Sequence, residues 1–227
     1  MTTKIRTQTQ LYDRLSEEIA WRRKELIYIK SVIEKNRYTA IINTLIRSGI
    51  PILYAHWEGF VKNAATSYIE FVARQNLKYE ELACNFIALA MKTKLKNAQE
   101  SNKSTIFVEV ANFFRTGLSE KCYMQWENAV NTQSNLSSVI FKDIICCLGL
   151  DYSIYETKEK LIDEKLLRSR NEIAHGKELL IDYEQYIELH DEVINLINLF
   201  FNQIDNAAST KSYLHKNYAS VHLTSTP

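Results

Sequence analysis

Apolar residues recur along this chain at alternating spacings of three and four, the repeat of a helix with one buried stripe. Tyr12, Leu15, Ile19, Leu26, Ile29 and Ile33 form such a stripe between Tyr12 and Lys35, with Arg22 in the same row. A second helix is expected over Tyr38 to Arg47, broken by Gly49-Ile50-Pro51. A third follows from Ile52 to Gln75. Leu53, Trp57, Phe60, Ala64, Tyr68 and Phe71 line its apolar face, and His56, Gly59, Asn63, Ser67, Glu70 and Arg74 its polar one. Farther on, Thr157 to His175 reads as a helix capped by Gly176. Asp182 caps a last helix to about Asn206, with Tyr186, His190, Val193, Ile197, Phe200 and Ile204 on one face.

Residues 77–155 have a weaker pattern. Glu80 to Lys96 reads as helix. Thr105 to Phe114 fits helix or strand. Ser134 to Ser138 forms a cap region before a helix from Val139 to Leu148, which stops at Gly149. This stretch is taken as an insertion into a single domain spanning residues 1–206. The Ser-, Thr- and Lys-rich residues 207–227 are expected to be a loosely held tail.

Composition narrows the class to all-α. The chain has 5 Gly and 2 Pro in 227 residues, about a quarter of ordinary usage, too few for the turns of a sheet protein. A net charge of +1 means that any nucleic-acid contact must come from a local patch. Cys84, Cys122, Cys146 and Cys147 form no CxxC pair, and reduced, mostly buried thiols fit a cytoplasmic location. No signal core or stretch of about 18 apolar residues is visible, so no membrane span is expected. No HExxH, spaced Cys/His set or acidic cluster points to a metal, and no Walker-type loop to a nucleoside triphosphate, so no cofactor is expected.

The candidate chemistry lies in Leu166 to Gly176. On a helix, Leu166, Leu167, Ile173 and Ala174 surround Arg170, placing it on the apolar side, where a guanidinium needs an anionic or carbonyl partner. Arg168, Asn171 and His175 share a neighbouring face. Arginine can hold a phosphate through two parallel hydrogen bonds, and histidine is the side chain suited to proton exchange near neutral pH. On spacing alone, a paired core arginine and a helix-end histidine are the commoner reading.

The string Arg170-Asn171-Glu172-Ile173-Ala174-His175-Gly176 resembles the Arg-x4-6-His signature of HEPN domains. Ser134-Asn135-Leu136, Leu148 to Asp151, Leu161-Ile162-Asp163 and Leu166-Leu167 resemble the run-up in MAE-type and ribosomal-toxin-like HEPN nucleases. Ala55 to Lys62 is similar to the helix that opens many MAE-type members. The resemblance spans roughly residues 38–205. It implies a helical bundle that pairs as a homodimer, two motifs meeting in a composite active site, and metal-independent cleavage of RNA. In that reading His175 is general acid or base, Arg170 binds the phosphate, and Asn171 orients His175 or a phosphate oxygen. Glu58, Arg168 and Lys62 are possible auxiliaries; Glu58 and Lys62, one turn apart, also fit a plain ion pair. The family setting implies a toxin or phage-defence effector, with a cognate antitoxin or defence-system protein as partner. The alternatives are a non-catalytic HEPN module that binds RNA, a nucleotide or a protein, and a purely structural dimerisation domain. His56 reads as solvated and His190 as a core histidine, while His215 and His222 are given no role.

Overall fold

Thr7 starts the first helix, α1 (Gln8–Lys35), by accepting the Gln10 backbone N–H while the Gln10 side chain returns to the Thr7 backbone. This reciprocal cap satisfies N–H groups that a helix start otherwise leaves open. The computed structural model describes residues 4–101 and 103–216. Its further helices are α2 (Ile42–Ala73), α3 (Cys84–Glu100), α4 (Ser104–Thr116), α5 (Ser138–Leu148), α6 (Ser169–Ala174) and α7 (Tyr183–Ser209). No strand occurs among the described residues, and the all-α expectation holds.

The core is the packing of α1, α2 and α7, with α5 and α6 against α2. Leu11, Leu15 and Leu26 of α1, Trp57 and Phe60 of α2, and Val193 and Phe200 of α7 are fully enclosed. Phe60 and Phe141 both meet Phe200 edge-on, tying α2 and α5 to α7.

The expected break at Gly49-Ile50-Pro51 does not occur, and α2 runs through Pro51. An interior proline costs about 3 kcal/mol by removing a hydrogen bond and crowding the preceding turn. Ile50, Leu53, Tyr54 and Trp57 around it are almost fully buried, at about 1.5–3 kcal/mol each. Burial outweighs the break. Gly49 is required for another reason: a Cβ there would lie 2.8 Å from Cε2 of Tyr186 on α7.

The α2 face read as polar is not a solvated face. α1 covers it, with Arg22 and His56 both buried. Gly59 permits this approach, since a Cβ there would sit 3.3 Å from Nη2 of Arg22. Conversely Tyr12, expected in the buried stripe of α1, is half exposed and meets Phe201 edge-on.

The stretch 77–155 is only partly an outer layer. Met91 of α3 and Phe113 of α4 form a small cluster of their own with Tyr79, which precedes α3, and residues 105–114 are helical. Met124, Val130, Leu136 and Phe141 belong to the main core. The tail also differs from expectation up to residue 216. Ala207, Ala208 and Tyr213 are buried. The Ala83 N–H donates to the Tyr213 carbonyl and the His215 N–H to the Glu81 carbonyl, at 2.9 and 2.8 Å. Residues 217–227, including His222, lie outside the described residues. All four cysteines are free, with Cys84 and Cys146 exposed rather than buried.

Candidate active site around Arg170 and His175

The helix expected over Thr157 to His175 is a rod with three windings. A tight 3-10 stretch (Ser153–Lys158) leads into a wider π-type stretch (Leu161–Arg168), then α6. Wide turns of this kind are frequent at functional sites. Leu161, Ile162 and Leu166 anchor the rod in the core. His175 ends it, and Gly176, at φ +72°, reverses the chain. The Gly176 N–H donates to the Ile173 carbonyl at 3.0 Å and the Lys177 N–H to the Glu172 carbonyl at 2.9 Å, the paired bonds that close a helix on a left-handed residue. Arg47 of α2 pins the emerging chain by donating to the Lys177 carbonyl at 2.9 Å.

Arg170 points into the bundle, as its helical position predicts, and finds a carbonyl partner. Its Nη2 donates to the Ser134 carbonyl at 2.9 Å, and its Nη1 to Oδ1 of Asn171 at 2.6 Å and of Asn135 at 3.4 Å. Ser134 has a positive φ of 58°, a conformation rare outside glycine. The guanidinium lies 4.3 Å above the Tyr54 ring. Glu58 is the nearby carboxylate, with Oε2 4.0 Å from Nη2. Thus Glu58 faces Arg170 across the helix boundary rather than forming the suggested pair with Lys62, which is exposed. The Arg170 side chain keeps 25% of its surface exposed. Neutral oxygens supply its direct hydrogen bonds, so its charge is only loosely countered.

Tyr54 is the support that the sequence reading missed. It sits one turn before Glu58, and its hydroxyl accepts the Leu136 N–H at 2.6 Å. Burial pushes this hydroxyl up to about 12, Glu58 adds to the rise, and the Leu136 N–H opposes it. Tyr54 therefore stays neutral, carrying the guanidinium on its face and the 134–136 loop on its edge. Asp163 clamps the other side of that loop. Its Oδ1 accepts the Ser138 N–H at 2.7 Å, and its Oδ2 accepts the Ser138 hydroxyl proton at 2.5 Å.

His175 lies elsewhere on the rod. Five residues place it roughly 140° around a helix from Arg170. It lines an open groove of about 320 Å³ with Asp163, Leu167, Arg168, Asn171, Glu172 and Lys177. The predicted face of Arg168, Asn171 and His175 is therefore a real one. Asn171 belongs to both places, binding Arg170 while lining the histidine groove. Arg168 is exposed and donates to Glu172 at 3.2 Å, an ordinary pair one turn apart. One chain thus offers an anion-seeking cation and an accessible imidazole on different sides of the same helix end.

His56 and His190 are placed apart from this site. His56, read as solvated, is instead buried against Trp21 and 2.9 Å from Glu25. His190 is buried, with Nδ1 2.8 Å from Asp191. Among the described residues, no group of three or more His, Cys, Asp or Glu side chains converges in a metal-binding arrangement. No described helix is long and apolar enough to cross a membrane.

Neither the curated proteins nor the solved structures contain a match to this chain. A family model described as MAE_28990-like HEPN matches residues 11–213. That span runs from α1 past the end of α7 and takes in Tyr54, Glu58, Ser134, Arg170 and His175. On that match, and with the helical bundle that carries it, the chain belongs to the MAE-type HEPN family.

Proposed function

We propose that this protein is a metal-independent endoribonuclease whose site is completed by a second copy of the chain. The observation that carries this is the state of Arg170: its direct hydrogen-bond partners are the Ser134 carbonyl and two amide oxygens, and part of its surface is open. A carboxylate hydrogen-bonded directly to the guanidinium would neutralise it. A guanidinium held by neutral oxygens keeps its attraction for phosphate.

The reaction is attack of a ribose 2′-hydroxyl oxygen on the adjacent phosphorus. The new O2′–P bond forms as the P–O5′ bond breaks, leaving a 2′,3′-cyclic phosphate and a 5′-hydroxyl. One proton leaves the 2′-hydroxyl and one reaches the O5′ leaving group. His175 acts as general base or acid in these transfers. Arg170 stabilises the charge that grows on the phosphoryl oxygens. Asn171 couples the two, since it accepts from Nη1 of Arg170 and itself lines the histidine groove. The need for a 2′-hydroxyl selects RNA over DNA. The divergence of Arg170 and His175 on one helix end favours a homodimer, in which one copy's arginine can share a phosphate with the other's histidine. The biological setting consistent with this is a toxin or phage-defence effector held in check by a cognate antitoxin or defence-system protein.

A second reading is a non-catalytic HEPN module that binds RNA, a nucleotide or a protein. It is favoured by Glu58, whose carboxylate 4.0 Å from Arg170 competes with a phosphate. Incubation with total RNA in EDTA separates the two readings. Cleavage by the wild type and its loss in Arg170→Ala and His175→Ala supports the nuclease. Intact RNA in every lane, with dimerisation retained, supports the binding module.

A further inference from the structure

Between the short turn that follows α4 and the loop that grips Arg170, residues 122–126 form neither helix nor strand. Met124 points inward and is buried, while Tyr123 is 74% exposed. Trp126 is half-buried, and its ring carries the Arg74 guanidinium 4.6 Å from its centre. Three adjoining cavities of about 430, 440 and 320 Å³ all have Tyr123 in their walls. Cations stand on both sides: Arg6 and Arg74 line the first cavity, Lys92 and Lys94 the second. Against them the walls hold one carboxylate, Glu127. Arg74 is also paired with Glu70 at 2.7 Å, which fixes the guanidinium over Trp126.

We infer that the Tyr123–Trp126 strip is a stacking site for unpaired bases of single-stranded RNA, with Arg6, Lys92 and Lys94 on the flanking phosphates. The inference deepens the proposed RNA reading and rests on it. Exposed aromatic rings interleaved with cations bind single strands because every base offers a π-face and every linkage a charge. The near-neutral chain as a whole supplies no general attraction, so affinity must come from such a local patch. The strip also leads to the active site. Trp126 and Asn135 are nine residues apart, at most roughly 30 Å, and the connection is pinned by buried Val130 and Thr132. A strand lying on Tyr123 can continue toward Arg170, so the outer part of the 77–155 stretch selects unpaired substrates.

The test uses the full chain and a labelled single-stranded RNA of about 12 nucleotides. Affinity is read by fluorescence anisotropy in the His175→Ala background, which keeps the RNA intact. Tyr123→Ala is expected to weaken binding about tenfold, and Tyr123→Phe to bind like the parent. The corresponding duplex should be insensitive to Tyr123→Ala. With His175 intact, Tyr123→Ala should cleave a dinucleotide at the wild-type rate, because so short a substrate cannot reach the strip. Unchanged single-strand affinity in Tyr123→Ala, with cleavage retained, overturns the strip alone. A wild type that neither binds nor cleaves RNA ends both proposals.

Discussion

Arg22 and Arg170 both lie over aromatic rings beside α2, and their surroundings diverge from there. The Arg22 guanidinium is 4.3 Å from the Trp21 ring and 5.8 Å from that of Phe60. It is ion-paired with Glu18, one turn back, and almost entirely buried. Arg170 has the same distance to Tyr54, but neutral oxygens hold it and a quarter of its side chain is open. A ring beneath a guanidinium therefore does not mark function. What distinguishes the two is how each charge is countered and whether an anion can reach it. Arg22 fastens α1 to α2; Arg170 remains available.

Exchanging the two losses tests this contrast most severely. Arg170→Ala should lower the cleavage rate by about 10²–10³ while costing about 1 kcal/mol of stability, mainly the hydrogen bond to the Ser134 carbonyl. Arg22→Ala should do the reverse. Breaking a buried pair costs about 3–5 kcal/mol, and the lower end applies because Glu18 keeps 22% of its side chain exposed. Urea unfolding and single-turnover cleavage, run on both variants, read the two effects. An Arg170→Ala protein that unfolds easily and an Arg22→Ala protein that is inactive though folded would reverse the assignment.

A smaller effect sharpens the electrostatic side. Glu58→Gln removes the carboxylate that faces Arg170 across 4.0 Å. At that distance, screened as in bulk water, the change is worth about 1 kcal/mol. A non-cleavable RNA analogue should then bind about fivefold tighter. Weaker binding would instead give Glu58 a direct part in holding the ligand.

The smallest expected effect concerns the sealed side. Burial holds His56 below the ordinary histidine range; Glu25 opposes this and Arg22 adds to it. The folded value is thus below the unfolded one. Stability is fully present above about pH 6.5 and is lost as pH falls through that value toward and past the folded one. The melting temperature should therefore drop more steeply on acidification in the wild type than in His56→Gln. Parallel pH profiles would mean that His56 is not buried as described.

Helix existence was legible from apolar spacing because each stripe is a local repeat. α1, the second half of α2, α5 and α7 all follow that rule. The path through Pro51 was not legible, because a local cost was outweighed by contacts from distant helices. His56 was misread for a related reason: it looks like a solvated position until α1 is packed over it. The motif from Arg170 to His175 was visible as a string, and the inward direction of Arg170 followed from its neighbours. Its contacts with the Ser134 carbonyl and the Tyr54 ring were not visible. Ser134 lies 36 residues earlier, and Tyr54 signals itself only by standing one turn from Glu58.

By itself the sequence determined that this chain is helical, which helices carry apolar stripes, and that Arg170, Asn171 and His175 crowd one helix end. These follow from the short-range geometry of 3.6 residues per turn and from side-chain chemistry. The tertiary structure decided which arginine is sealed and which is open, and that His175 faces a groove on a different side from Arg170. Those outcomes depend on residues far apart in the chain meeting in space, where burial and partner choice set the strength of a charge.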